Sequence, residues 1–354
     1  MKYTKESERR SMMQKDIFPV NAAFRQYLQH FGRAAELPLL YSDLTNYSYA
    51  DSLRDKKGKW THWENAVYEP GQLNFLKPAL IETYLRLKKK TPSLPQKQFD
   101  IERIDFCEYG NSIPFRIKII QENGEYDFFY VKQADASRIY GLELEHLLTQ
   151  NPINFLHHKD TLVEEHIEGV PGDTFLQQNP QLTVEEKAAL ASAFVQFNES
   201  CFVRLLGDMR SYNFVINTES FGETNHYRIR AIDFDQQCYE GKKTLYFPQF
   251  YKENGEYVNL VLQHLSLAEI QRHQQLEFTT MATKIVSHRR QLMELVNSMV
   301  QDDISENYKI HILRKELNDH FSTERFASCK TMGAIVKQQL KQVLQKHVQR
   351  ANLK

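Results

Sequence analysis

The sequence predicts an α+β protein, with its strands gathered mainly in one stretch and its helices in another. Between about residues 103 and 132, apolar residues alternate with polar ones around a tight-turn signal, the pattern of an antiparallel hairpin with one face wet. The stretches at about 258–300, 304–320 and 328–350 instead carry apolar residues at helical spacing. Thr91-Pro-Ser-Leu-Pro95 breaks the chain ahead of the strands. The expected organisation is a helical extension over 1–95, a small sheet with one helix over 96–168, and a larger helical region over 169–354.

Within the extension, Asn21 to Phe31 reads as a helix, with Phe24, Tyr27, Leu28 and Phe31 on one face. Gln72 to Lys90 reads as a second, ending in lysines as a helix C-terminus favours. Trp60-Thr-His-Trp-Glu64 is an aromatic patch expected to pack against the rest of the protein. Arg103 to Tyr109, Ile113 to Gln121 and Tyr126 to Lys132 read as strands, the last two joined by Glu122-Asn-Gly-Glu125, whose Asn-Gly suits a type I′ turn. Ser137 to Gln150 reads as a helix and Leu162 to Ile167 as a strand, broken by Glu168-Gly-Val-Pro-Gly172. His157-His158 reads as a loop or surface pair. Thr183-Val-Glu-Glu186 is a capping box opening an apolar helix through Phe197.

Bulk properties narrow the functional classes. Lys+Arg and Asp+Glu both number 45, which removes a global electrostatic case for binding nucleic acid. Mean hydropathy is −0.57, and no apolar run is long enough to span a bilayer. No apolar segment follows the charged start of the chain, so no signal peptide is read. Cys107, Cys201, Cys238 and Cys329 are scattered without a CxxC, which points away from zinc and a disulfide framework and toward a cytoplasmic location. The basic residues Lys337, Lys341, Lys346 and Arg350 of the last helical stretch read as a solvated face.

The most informative residues lie in Arg204-Leu-Leu-Gly-Asp208-Met-Arg210-Ser-Tyr-Asn213-Phe-Val-Ile216 and Ile229-Arg-Ala-Ile-Asp233-Phe-Asp235. Each segment sets polar residues beside a short apolar run that reads as a buried strand. Oxygen-bearing side chains at the ends of two such strands suit Mg²⁺ and a phosphate-bearing ligand.

With these residues in place, the stretch from about 100 to 240 resembles the two-lobed protein-kinase-like fold, in particular the aminoglycoside phosphotransferase and choline kinase group. Phe129-Tyr-Val-Lys132 resembles the strand motif V-A-I-K, and Leu142-Glu-Leu-Glu-His-Leu147 lies where that fold carries its helix glutamate. Leu162 to Gly172 resembles the hinge strand and the Pro-Gly turn of small-molecule kinases. Leu206-Gly-Asp208 to Asn213 resembles D-x-x-x-x-N, and Asp233-Phe-Asp235 stands at the D-F-G position. The sequence departs from the protein-kinase pattern in three places. Glu108-Tyr-Gly110-Asn-Ser112 holds one glycine, Leu206 stands where a histidine is usual, and Asp235 replaces the last glycine of D-F-G.

The resemblance implies ATP and Mg²⁺ as cofactors and a role for each matched residue. Lys132 would contact phosphate and pair with Glu143, with Glu145 as the alternative, and Gly110 would lie in the phosphate-covering loop. Asp208 would orient the acceptor hydroxyl and take its proton, and Arg210 would stabilise charge on the transferring phosphoryl group. Asn213 and Asp233 would hold the metal. The expected activity is phosphotransfer to a hydroxyl of a small molecule. The alternatives are an atypical protein kinase or nucleotidyl transferase acting on a protein, suggested by the long extension, and a non-catalytic scaffold, suggested by the single glycine and Leu206.

Overall fold

A computed structural model describes residues 15–55, 57–89, 98–107, 112–221 and 224–352. The architecture is α+β, built on antiparallel sheet and many helices. The chain divides into two compact units: the first holds the described residues up to Val20, Leu28–Ala136 and Asn154–His166, and the second holds Asn21–Tyr27, Ser137–Ile153 and Ile167 onward. The expected break at Thr91–Pro95 lies outside the described residues.

The first unit is a sheet backed by a long helix. After α1 (Ala22–His30, divided between the units) and the short α2 (Tyr41–Leu44) come β1 (Tyr49–Arg54), β2 (Trp60–Val67), α3 (Pro70–Leu87), β3 (Phe99–Phe106), β4 (Phe115–Gln121) and β5 (Tyr126–Gln133). Beyond them lie β6 (Phe155–His158) and β7 (Thr161–Glu165). The described strands form a seven-stranded sheet in the order β1-β2-β3-β4-β5-β7-β6, every neighbouring pair antiparallel. Alternation along β4 and β5 buries Phe115, Ile117, Ile119, Phe129 and Val131, which share one apolar cluster with Leu76, Leu80 and Tyr84 of α3. Burying side chains of this size stabilises the unit by roughly 1.5–3 kcal/mol each. The hairpin closes at the predicted place but not as a type I′ turn: Gly124 takes a positive φ (84°) and Asn123 does not, the Gly124 N–H donates to the Gln121 carbonyl at 2.9 Å, and the Gln121 N–H donates to the Glu125 carbonyl at 2.8 Å.

The expected helical extension differs from what folds. Helices form at Ala22–His30 and Pro70–Leu87, but residues 49–67 are a hairpin whose second strand pairs with β3 through Glu64 opposite Phe106. Its aromatic and β-branched residues suit a pleated surface. Trp63 covers the guanidinium of Arg116 at 4.2 Å, and Arg116 in turn holds the fully buried Asp105 at 2.7 Å together with Arg103 at 2.5 Å. The His157-His158 pair also differs: His157 is buried in β6, its backbone bonded to Arg33 and Ala35.

The second unit carries α4 (Ala136–Leu148, which joins it from Ser137), β8 (Val170–Pro171), α5 (Gly172–Gln178) and α6 (Val184–Arg204). It continues through β9 (Phe214–Phe221), β10 (Thr224–Ala231), α7 (Gly255–His264), α8 (Leu267–Ser287), α9 (Arg289–Val300), α10 (Asn307–Phe321) and α11 (Met332–Ala351). The described strands β10, β9 and β8 form a three-stranded antiparallel sheet. Helix α6 starts at the predicted capping box, where the Thr183 hydroxyl accepts from the Glu186 N–H at 3.2 Å and the Glu186 carboxylate accepts from the Thr183 N–H at 2.8 Å. It runs past Phe197 to Arg204 because its second half is buried throughout, and it ends at Leu205 in a left-handed turn (φ 55°). Among the described residues no helix is long and apolar enough to cross a membrane.

The Pro171-Gly172 turn presses on the segment that leads into β9. A Cβ on Gly172 would lie 2.2 Å from Phe214 Cε2 and 2.6 Å from the Ser211 carbonyl, and Tyr257 donates to the Gly172 carbonyl at 2.6 Å. Gly172→Ala is expected to lower stability by about 1–3 kcal/mol through overpacking, read as the midpoint of urea unfolding. Gly255→Ala is its control, because a Cβ there meets nothing within 4 Å, and it should leave the midpoint unchanged or slightly raised.

Candidate active site

The site belongs to the second unit. Strand β9 leaves the turn Ser211–Asn213, and β10 returns beside it with Phe214 opposite Ala231 and Ile216 opposite Ile229. The Ile232 N–H donates to the Asn213 carbonyl at 3.0 Å. Asn213 and Asp233 therefore stand at the same end of one hairpin. The Asn213 side-chain nitrogen donates to the Asp208 carbonyl at 2.8 Å and to Asp208 Oδ2 at 3.3 Å, so Asp208 joins them.

Asp208 occupies the left-handed region (φ 56°), a conformation that Asp adopts more readily than most residues and that recurs at functional turns. Its N–H donates to the Tyr251 hydroxyl at 2.9 Å, and that hydroxyl donates onward to the Leu245 carbonyl at 2.7 Å. Burial, with Asp208 nearby, keeps the Tyr251 phenol protonated far above neutrality. Arg210 Nε reaches Asp208 Oδ1 at 2.7 Å, and its Nη1 reaches Glu253 at 2.9 Å. The bond to Asp208 holds the Arg210 guanidinium above its ordinary range.

A second arginine anchors the other half of the site. Arg138, on the first turn of α4, is almost wholly buried. Its Nη1 lies 2.9 Å from Asp233 Oδ1 and 2.8 Å from Asp235 Oδ1. The same Asp233 oxygen accepts the Asp235 N–H at 3.0 Å, which closes the Asp233-Phe-Asp235 turn on itself. Ser137 donates to the Gln237 carbonyl at 2.7 Å, and Gln237 Nε2 donates to the carbonyls of Arg204 at 2.6 Å and Leu205 at 3.2 Å.

The remaining predicted residues find partners within their own units. In the first unit, Lys132 of β5 pairs with Glu164 of β7 at 2.9 Å, both nearly buried. In the second, Glu143 accepts from the Tyr27 hydroxyl at 2.7 Å and from Gln291 at 3.2 Å. Glu145 pairs with Arg204 and accepts from Thr149 and Asn151. Gly110 lies outside the described residues.

Arg138, Gln237, Tyr251 and Glu253 are not singled out by the sequence reading. Arg138 leaves no signal there, because its need for a carboxylate follows from the burial of α4, which the sequence alone does not give. Tyr251 and Glu253 leave none, since they sit in irregular 3₁₀ turns without periodicity.

As possible metal donors, Asn213 and Asp233 offer an amide oxygen and a carboxylate, the hard ligands Mg²⁺ accepts when substrate phosphates and water complete its shell. Among the described residues no cluster of three or more His, Cys, Asp or Glu side chains forms a dedicated metal cage, so any metal here would be shared with a ligand.

No family model and no curated protein matches the chain. Among solved structures it is similar to "FAT and kinase domain of CtTel1", with 11% identity, 93% of this chain and 28% of that chain covered, and a TM-score of 0.37. It is also similar to "Structure of the open conformation of CtTel1" (10% identity, 92% and 15% covered, TM-score 0.38). A third likeness is "Complete CtTel1 dimer with C2 symmetry" (11% identity, 92% and 15% covered, TM-score 0.36). The chain thus spans less than a third of the length of each. Their titles name neither an aminoglycoside phosphotransferase nor a choline kinase.

Arg138→Ala is expected to destabilise the protein by about 3–5 kcal/mol, because it leaves the nearly buried Asp235 without its counter-charge. Asp233→Asn, at the more exposed end of the same fork, should cost less than half as much. Urea unfolding with linear extrapolation measures both.

Proposed function

We propose that the protein is a phosphotransferase that moves the γ-phosphate of ATP to a hydroxyl of a small molecule, with Mg²⁺ as cofactor. The observation that carries this reading is the gathering of Asp208, Asn213 and Asp233 at one end of the β9–β10 hairpin. Two further features support it. Asp208 is held by its own backbone and by Asn213 in a conformation few residues take. Each acidic side of the site also carries two carboxylates for one guanidinium, Asp208 and Glu253 with Arg210, Asp233 and Asp235 with Arg138. Paired carboxylates of this kind offer the hard oxygens that suit a divalent cation.

In this reading Asp208 accepts the proton of the acceptor hydroxyl and aligns its oxygen. The Asn213 side-chain oxygen and the Asp233 carboxylate would hold Mg²⁺, which when bound neutralises charge on the phosphates. Arg210 shares its guanidinium between Asp208 and Glu253, and turning one arm to a phosphoryl oxygen leaves the other on Glu253.

A specific observation favours a second reading, a non-catalytic scaffold that binds no nucleotide: both Asp208 and Asp233 are already ion-paired. A calorimetric titration separates the two, because the phosphotransferase binds Mg·ATP. Absence of binding sinks it. Incubation with γ-phosphate-labelled ATP and a metabolite extract, followed by mass spectrometry, identifies the acceptor and distinguishes phosphate from AMP, and metabolite from protein. Asp208→Ala is expected to slow transfer by about 10²–10⁴-fold, the usual worth of a positioned acid–base group, with nucleotide binding retained. Asp233→Ala is expected to lose transfer and Mg²⁺-dependent binding together. Transfer by Asp208→Ala at the wild-type rate refutes the role given to Asp208.

A further inference from the structure

The second unit contains a cavity of about 370 Å³ that Glu145 lines but Asp208, Arg210, Asn213 and Asp233 do not. Its walls come from the end of α4, from α6, from the β9–β10 hairpin and from α8. At this volume it falls in the size range of small-molecule sites.

The charges in its walls do not balance. Arg204, almost fully buried, pairs with Glu145 and donates its Nε to the Ser200 carbonyl at 3.2 Å. Glu145 is further satisfied by Thr149 at 3.0 Å and Asn151 at 2.9 Å. Arg228 pairs with Glu219 at 3.2 Å, both partly exposed. The remaining carboxylate, Glu277 of α8, is partly exposed and forms no ion pair among the described residues; the Arg204 guanidinium, engaged with Glu145, and the Ser200 hydroxyl act on it from nearby. Partial withdrawal from water, only in part offset by Arg204 and Ser200, pushes Glu277 up to about 7. A cation entering the cavity offsets the rest. A divalent metal is poorly served, since it calls for several oxygens and the other carboxylates are paired. An organic cation is better served. Gln196 and Thr280 offer hydrogen bonds, and Phe197, Tyr227 and Leu276 offer apolar and aromatic surface.

We propose that this cavity is a binding site for a small organic ammonium ion, with Glu277 as its counter-ion. The site is separate from the Asp208–Asp233 hairpin end and stands whether or not the phosphotransferase reading holds.

The test is calorimetric titration of the full chain with n-butylammonium chloride, with n-butanol as the neutral match. Saturable binding of the ammonium at pH 8 is expected, at least tenfold tighter than the alcohol. Glu277→Gln, which removes the charge and keeps the side chain's shape, is expected to lower the affinity at least tenfold. Ala193→Leu, which narrows the cavity and leaves Glu277 in place, is expected to weaken binding too. Affinity should fall about tenfold between pH 8 and pH 6, as Glu277 takes up its proton. The charged and titratable groups around it are Glu145, Glu199, Arg204, Glu219, His226 and Arg228, and the fall should survive His226→Gln. No saturable ammonium binding, butanol binding as tightly, or an affinity unchanged by Glu277→Gln each overturns the proposal.

Discussion

The buried fork of Arg138 is the interaction on which the rest of the candidate site depends. Taking a guanidinium out of water costs several kcal/mol, and here two carboxylates on one short turn offset it. Moving the turn breaks both ion pairs of the arginine, and removing the arginine takes a counter-charge from Asp235. Ser137, its neighbour on the same helical turn, holds the Gln237 carbonyl, and the Gln237 amide caps carbonyls at the end of α6 that the helix itself leaves unsatisfied. Two consecutive residues of α4 thus fix residues 233–237, and through Gln237 they fix where α6 stops. Asp208 follows directly from that stop, by way of the left-handed Leu205 and the Gly207 N–H that donates to Gln236 at 3.2 Å.

That arrangement constrains the chemistry. With Asp233 already bonded to Arg138, a cation arriving there adds to an existing ion pair and must share the carboxylate. The second carboxylate on each arginine, Asp235 or Glu253, makes the sharing tolerable, because removing one acid from the guanidinium still leaves it a partner. A lone Asp–Arg pair would resist the same exchange, since separating it strands two charges. The second carboxylate on each arginine is therefore the feature that would reconcile a pre-paired site with the metal-dependent reaction we propose.

Legibility from the sequence followed the range of the interactions involved. The Asn-Gly turn at 123–124 and the Thr183–Glu186 cap are closed by residues a few positions apart, so local pattern reveals them. That Asp208, Asn213 and Asp233 meet at one hairpin end was legible for a different reason: Asn213 and Asp233 each abut a short apolar run that reads as a strand. The β1–β2 hairpin was not legible, because it carries no clean alternation and owes its place to pairing with β3 and to Arg116 covering Trp63. Strand β6 was hidden behind two histidines that look like surface residues until their backbone pairing with β7 is known. The role of Arg138 required knowing that α4 is buried on every side, which is a tertiary fact.

Helix α4 shows why a single glutamate is hard to single out along it. Burial on all faces would leave an apolar helix free to rotate or slide, since one greasy surface packs much like another. Its charged residues remove that freedom. Arg138 is matched to Asp233 and Asp235, Glu143 to Tyr27 and Gln291, and Glu145 to Arg204, Thr149 and Asn151. A shift of one residue along the axis would strand all three charges at once, at a cost of several kcal/mol each. The register of α4, and with it the position of the Asp233 turn, is set by polar matching inside the second unit. Glu143 and Glu145 both have that structural task, so sequence position alone cannot decide which of them has a further one.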